Sequence, residues 1–135
     1  MSTKQLHIDG KPVAAEKGTL VVGGSAEGAR WQIERQPQHG QNAYTITRDG
    51  SNEGWVAPDG AGRPITVRPL ITTKSLPPHH PNNQLWQISP LDQGGHSITS
   101  LANELSAGVG GPDSSGSQPI VLGNGGTSSV VITNA

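Results

Sequence analysis

Apolar and polar residues alternate along this chain over short stretches and then break off. Gln5-Leu6-His7-Ile8, Tyr44-Thr45-Ile46-Thr47 and Ile65-Thr66-Val67-Arg68 each put branched side chains on one side of an extended backbone and polar ones on the other. That is the period of a strand buried on one face. Turn signals such as Asp9-Gly10, Asp49-Gly50, Asp59-Gly60, Gly94-Gly95 and Asn124-Gly125-Gly126 punctuate these runs, so the strands are short and the turns tight. Helical periodicity is nearly absent. The stretch 98–105 is too short for a stable helix and is closed by Ser-Ala-Gly, which predicts a strand followed by a loop.

The pattern also repeats. Trp-Gln-Ile stands at positions 31–33 and again at 86–88, and Val130-Val131-Ile132 occupies the matching place near the end. Working backward from each gives three parallel series. The first is Leu6-His7-Ile8, Val13-Ala14-Ala15, Leu20-Val21-Val22 and Trp31-Gln32-Ile33. The second is Tyr44-Thr45-Ile46, Val56-Ala57-Pro58, Ile65-Thr66-Val67 and Trp86-Gln87-Ile88. The third is His96-Ser97-Ile98, Val109-Gly110-Gly111, Ile120-Val121-Leu122 and Val130-Val131-Ile132. A period of this length signals repeated supersecondary units. Three units, about 5–36, 43–91 and 95–135, predict twelve strands in a single all-β domain over 1–135, a β-trefoil with a pseudo-threefold axis. No unit can bury its apolar face alone, whereas three around one axis share a core and close their sheet edges. A two-sheet sandwich is the alternative that also uses many short strands.

Composition narrows the chemistry. Formal net charge is -1, which argues against nucleic acid as a partner. Cysteine is absent, excluding disulfides, thiolate metal sites and a cysteine nucleophile. No stretch has the length of a membrane span and no signal peptide follows Met1; the expectation is a cytosolic protein with no membrane partner. With 19 Gly, 11 Pro and no Phe, the chain suits many turns around a small aliphatic core. No serine lies in the strained strand-to-helix turn of a Gly-x-Ser-x-Gly nucleophile, and the glycine-rich stretches precede no helix that would hold a phosphate. Neither an enzyme nor a cofactor is expected.

The segment 31–88 is specific enough to suggest a family. Its phrases RWQIERQPQHGQNAYTITRDGSNEGWVAPDGAG, ITVRPLI and PPHHPNNQLWQI resemble the fungal serine-protease inhibitors of the cospin type, cysteine-free β-trefoils from mushrooms. In that family the unit resembling 44–88 ends the chain, whereas here another unit follows it. The resemblance therefore implies a rotated repeat order, a circular permutation that requires the strand at 5–8 to pair with the strand ending at Ile132. It also implies that a protruding loop enters the cleft of a serine protease, trypsin-like or chymotrypsin-like. The reactive loop of the family's first unit would map onto 111–118, which carries no basic residue.

Candidate residues follow from what a trypsin-like cleft accepts. An acidic specificity pocket takes Lys or Arg from an exposed, rigid loop. Lys17 stands in the Glu16-Lys17-Gly18 turn, Arg63 in Gly62-Arg63-Pro64, and Lys74 in the longest and most proline-rich loop, between Ile71 and Gln84. Proline after Arg63 resists cleavage, so Lys17 and Lys74 are the better inhibitory-loop candidates. The alternative is a carbohydrate-binding lectin of the same fold. Trp55, aligned here with Pro12 and Gly108 of the other units and expected partly exposed, would stack a sugar, with Asp49 and Asn52 accepting its hydroxyls. A third possibility is a scaffold whose loops meet some receptor. Adjacent His79-His80 point to opposite sides and have no third ligand nearby in sequence, so no metal site is expected.

Overall fold

The computed structural model describes residues 3–8, 10–16, 18–23, 30–75, 79–92, 94–110, 117–123 and 129–134. Among the described residues twelve strands follow one another: β1 (Lys4–Ile8), β2 (Lys11–Glu16), β3 (Thr19–Gly23), β4 (Trp31–Arg35), β5 (Tyr44–Arg48), β6 (Glu53–Val56), β7 (Thr66–Pro69), β8 (Trp86–Pro90), β9 (His96–Ser100), β10 (Ala107–Val109), β11 (Ser117–Leu122) and β12 (Val130–Asn134). Two single turns of 3-10 helix, Pro37–His39 and Asn82–Gln84, sit in the loops before β5 and β8.

The registers repeat threefold. β4 pairs with β5, β8 with β9 and β12 with β1, each over five antiparallel residue pairs. Within them Trp31 faces Arg48, Trp86 faces Ser100 and Val130 faces Ile8. The same three residues also pair with the first strand of their own unit, as Trp31 with Lys4, Trp86 with Tyr44 and Val130 with His96. Trp31, Trp86 and Val130 are therefore equivalent positions around one axis, in a barrel closed by β1 against β12. That closing pair is also the one a rotated repeat order requires.

Three hairpins, β2–β3, β6–β7 and β10–β11, cap the barrel. They are tied to one another by backbone bonds from Leu20 N–H to the Ile65 carbonyl (3.0 Å) and from Ile65 N–H to the Ile120 carbonyl (2.9 Å). Leu20, Ile65 and Ile120 are all fully buried where these bonds meet. Below them lie Leu6, Ile46 and Ile98, one from the first strand of each unit, also fully buried. This is the shared core that the repeated pattern demands, since each hairpin alone would leave its apolar face wet.

Two of the second strands differ in register from the sequence reading. In the cap hairpins Val13 faces Val22, Trp55 faces Val67 and Ala107 faces Leu122. The inward series of the second strands is thus Val13, Trp55 and Ala107, not Val13, Val56 and Val109. Because side-chain direction has a period of two, that single-residue slip in the second unit turns Trp55 from the outside to the inside. The bulk of the indole explains the outcome: Val56 on the same side would leave a void that Trp55 fills. Gly54 permits it, for a Cβ there would stand 2.6 Å from the Ile46 carbonyl oxygen on the neighbouring strand.

Candidate functional site: the loop between β7 and β8

The indoles meet edge to face. Trp55 lies 5.7 Å from Trp31 at 87° and 5.8 Å from Trp86 at 83° between ring planes, the geometry that aromatic quadrupoles favour. Trp31 Nε1 donates to the Val13 carbonyl (3.4 Å) and Trp86 Nε1 to the Trp55 carbonyl (3.1 Å), which again makes Val13 and Trp55 equivalents. Trp55 is 1% exposed. The sugar-stacking site expected from Asp49, Asn52 and Trp55 is therefore corrected: its aromatic platform is core. Asp49 accepts from Gln32 Nε2 at 3.2 Å and the Asn52 carbonyl accepts Leu70 N–H at 2.9 Å, so both belong to turns beside an already buried ring.

The three basic candidates separate. Lys17 lies outside the described residues, as does most of the 111–118 loop. Arg63 is exposed, yet its carbonyl accepts Leu122 N–H (3.3 Å) while Gly62 N–H donates to the Leu122 carbonyl (2.7 Å). Its backbone is thus fastened to the cap, and the carbonyl that an oxyanion hole would have to take already has a donor. Lys74 is exposed on the longest connection of the fold, after β7.

The base of that connection is held from both directions. Thr73 N–H donates to the His79 carbonyl (2.9 Å), and His79 N–H donates to Thr73 Oγ1 (3.0 Å). Thr73 Oγ1 and Ser75 Oγ are 2.7 Å apart, and Ser75 Oγ is 3.3 Å from His79 Nδ1. Lys74 is thus flanked by two hydroxyls bonded to each other and to His79.

Further in, Gln84 is buried. In the amide orientation that satisfies its neighbours, its Nε2 donates to the Ile71 carbonyl (2.8 Å) and to His80 Nδ1 (3.1 Å), and its Oε1 accepts Ile71 N–H (3.0 Å). A buried amide with its partners made is costly to disturb. The loop between β4 and β5 reaches across as well, where His39 Nε2 accepts His80 N–H at 3.0 Å. The His39 ring stands edge to face with His79 at 5.1 Å and tilted to His80 at 6.2 Å. Partial burial, and then the nearby His79 and His80, hold the His39 pKa below its ordinary 6.5. Among the described residues no cluster of three potential ligands fits a metal ion. The histidines act instead as buttresses.

Beside them opens a cleft of about 330 Å³ lined by Ile71, Thr72, Thr73, His79, His80 and Pro81. Ile71 is 64% exposed there, an apolar shoulder on the same loop as Lys74. Gln84-Leu85-Trp86 was visible in the sequence, but what Gln84 grips is not, and His39 lies 41 residues from its partner. No local signal could have joined them.

Fold and loop together define a β-trefoil with an exposed Lys74 on a long loop held through Thr73, His79, His80 and Gln84. Residues 2–90 match the family Peptidase inhibitor I66, and the chain belongs to that family. It is similar to a serine protease inhibitor of Lentinula edodes, 51% identical over 67 residues that make up 49% of this chain and 46% of the other. The chain thus matches about half the length of that relative. A proteinase inhibitor from Coprinopsis cinerea superposes with a TM-score of 0.56 at 36% identity, over 62% of this chain and 60% of that one. The designed threefold-symmetric protein ThreeFoil shares only 14% identity but superposes over 98% of this chain and 99% of its own, with a TM-score of 0.76, and so shares the fold.

Proposed function

We propose that this protein binds and blocks a serine protease of trypsin-like specificity, offering Lys74 to the acidic pocket of the enzyme and performing no catalysis itself. The observation that carries the reading is the placement of Lys74: exposed, between Thr73 and Ser75, on a loop whose base is closed by the Thr73–His79 backbone bond and gripped by Gln84. A loop already held in place loses less entropy on docking, so more of the contact energy appears as affinity. The Ile71 shoulder extends the contact surface. A total near the usual ~800 Å² per partner is within reach of a loop this long and its neighbours.

The same proposal reads the repeat order as rotated relative to the family. In support, relatives at 51% and 36% identity match only about half to three fifths of the chain, while a symmetric trefoil at 14% identity superposes over 98% of it. A rotation would leave one unit without a counterpart in sequential order. The β1–β12 pairing is what such a rotation needs, and equally what any closed trefoil makes.

Titration against trypsin, chymotrypsin and subtilisin tests the reading. Trypsin is expected to be blocked with one-to-one stoichiometry at micromolar protein, with weaker effects on the other two. Failure to inhibit any of them at that concentration would overturn it.

A further inference from the structure

Three imidazoles meet where the loop before β5 touches the loop after β7, and the protons they carry decide whether that contact holds. His39 Nε2 accepts the His80 N–H at 3.0 Å, so the neutral His39 ring carries its hydrogen on Nδ1. His80 Nδ1 accepts from Gln84 Nε2 at 3.1 Å, and the same amide grips both backbone groups of Ile71, three residues before Lys74. His79 stands edge to face with His39 at 5.1 Å between ring centroids, and its backbone exchanges two bonds with Thr73, the neighbour of Lys74. His39 thus backs both attachments of the segment that carries Lys74.

A proton on Nε2 undoes this arrangement. It turns the acceptor into a donor aimed at the His80 N–H, and it puts a cation 5.1 and 6.2 Å from two other rings. Among the described residues no carboxylate forms an ion pair with any of the three rings. The cleft on which His39 opens has uncharged neighbours, Gln41, Asn42, Gln87 and Leu101 among them. The acidic residues on the elements that meet here are Glu34, which shares a separate cleft with His80 but not with His39, and Glu104, on the connection that brings Leu101. Arg35, at the end of β4, and Lys74 are both cations.

We propose that His39 is a positioning residue that catches the loop when neutral and releases it when protonated, so that the protein holds a serine protease at neutral pH and lets it go in acid. The inference rests on the inhibitor reading above. The held loop carries no proton at His39 Nε2, whereas in the released loop the ring is solvated and free to take one. Burial, and then His79 and His80, depress the His39 pKa from 6.5 in the held form. Between that lowered value and 6.5 the released form binds more protons, and falling pH shifts the population toward it. The tie is complete above 6.5 and lost as pH falls through the value of the held form. A protease that takes the held loop preferentially feels the same shift, because linkage is reciprocal: protons weaken its binding, and its binding expels the proton. Release spares the trefoil itself, since no histidine belongs to the buried apolar core.

The test uses the whole chain and trypsin whose catalytic serine is replaced by alanine, so that binding is read without turnover. Dissociation constants are measured at pH 7 and pH 5 for wild type, His39→Gln and His39→Leu. Titration of the protease's own groups is common to all three, so comparing their acid-to-neutral ratios isolates His39. The wild-type ratio is expected to exceed that of His39→Gln, which keeps an acceptor but cannot titrate, by about fivefold or more. His39→Leu has no acceptor and is expected to bind weakly at both pH values, with glutamine restoring affinity at pH 7. Without protease, the His80 amide resonance is expected to shift with the same midpoint, below 6.5, as the His39 ring. Equal ratios in wild type and His39→Gln, or a His80 amide that ignores the His39 titration, overturn the catch and leave the inhibitor reading intact. Should His39→Leu fail to fold, the glutamine comparison and the amide titration decide alone. Wild type that binds no trypsin at pH 7 overturns the inhibitor reading, and the protease half of the proposal with it.

Discussion

His39 shows how one side chain ties the loop to the scaffold and makes that tie sensitive to acid. Its Nε2 accepts the His80 N–H, which only the neutral ring can do. Burial and the neighbouring His79 and His80 depress its pKa from 6.5. In the interval between that lowered value and 6.5 the unfolded chain binds more protons at this site than the native one does, so stability rises with pH there. The contribution is complete above 6.5 and is lost as pH falls through the folded value. Melting temperatures recorded between pH 7 and pH 5 should therefore fall on the acid side, and fall less in His39→Gln, which keeps an acceptor but cannot titrate. An equally steep fall in His39→Gln would place the acid sensitivity at other groups.

At the scale of elements, alternation and the Trp-Gln-Ile repeat made all twelve strands legible, because each strand has one dry face and each unit contributes equivalent inward positions. The inward position was misplaced by one residue in β6 and by two in β10. Trp55 and Val56 are adjacent and both apolar, so the local pattern fits either register, and only the volume of the shared core decides between them. The 3-10 turns and the Gln84 grip on Ile71 were likewise invisible, since they depend on contacts between distant segments. The corrected register makes Trp55 the centre of the indole cluster. Trp55→Ala should cost about 3–5 kcal/mol of unfolding free energy by denaturant titration, a large share of the ~5–15 kcal/mol typical of a whole domain. A loss under ~1 kcal/mol would mean the ring is not packed as described.

Across the whole molecule, three units bury a common centre and leave their connections outside, which is why the longest of them can carry recognition without disturbing the core. The sequence showed which residues were basic; it did not show which were free to enter a cleft. Arg63 and Lys74 both follow a turn signal or lie near proline, yet the Arg63 carbonyl is bound to the cap whereas Lys74 stands clear between its hydroxyls. The inhibition constant of Lys74→Ala against trypsin, set beside that of the wild type, tests this account most directly. A buried basic anchor makes a dominant contribution to such interfaces, so the constant should rise about 30-fold or more while the melting temperature stays the same. A variant within about twofold of the wild type would show that another segment enters the protease and that Lys74 is an ordinary surface charge.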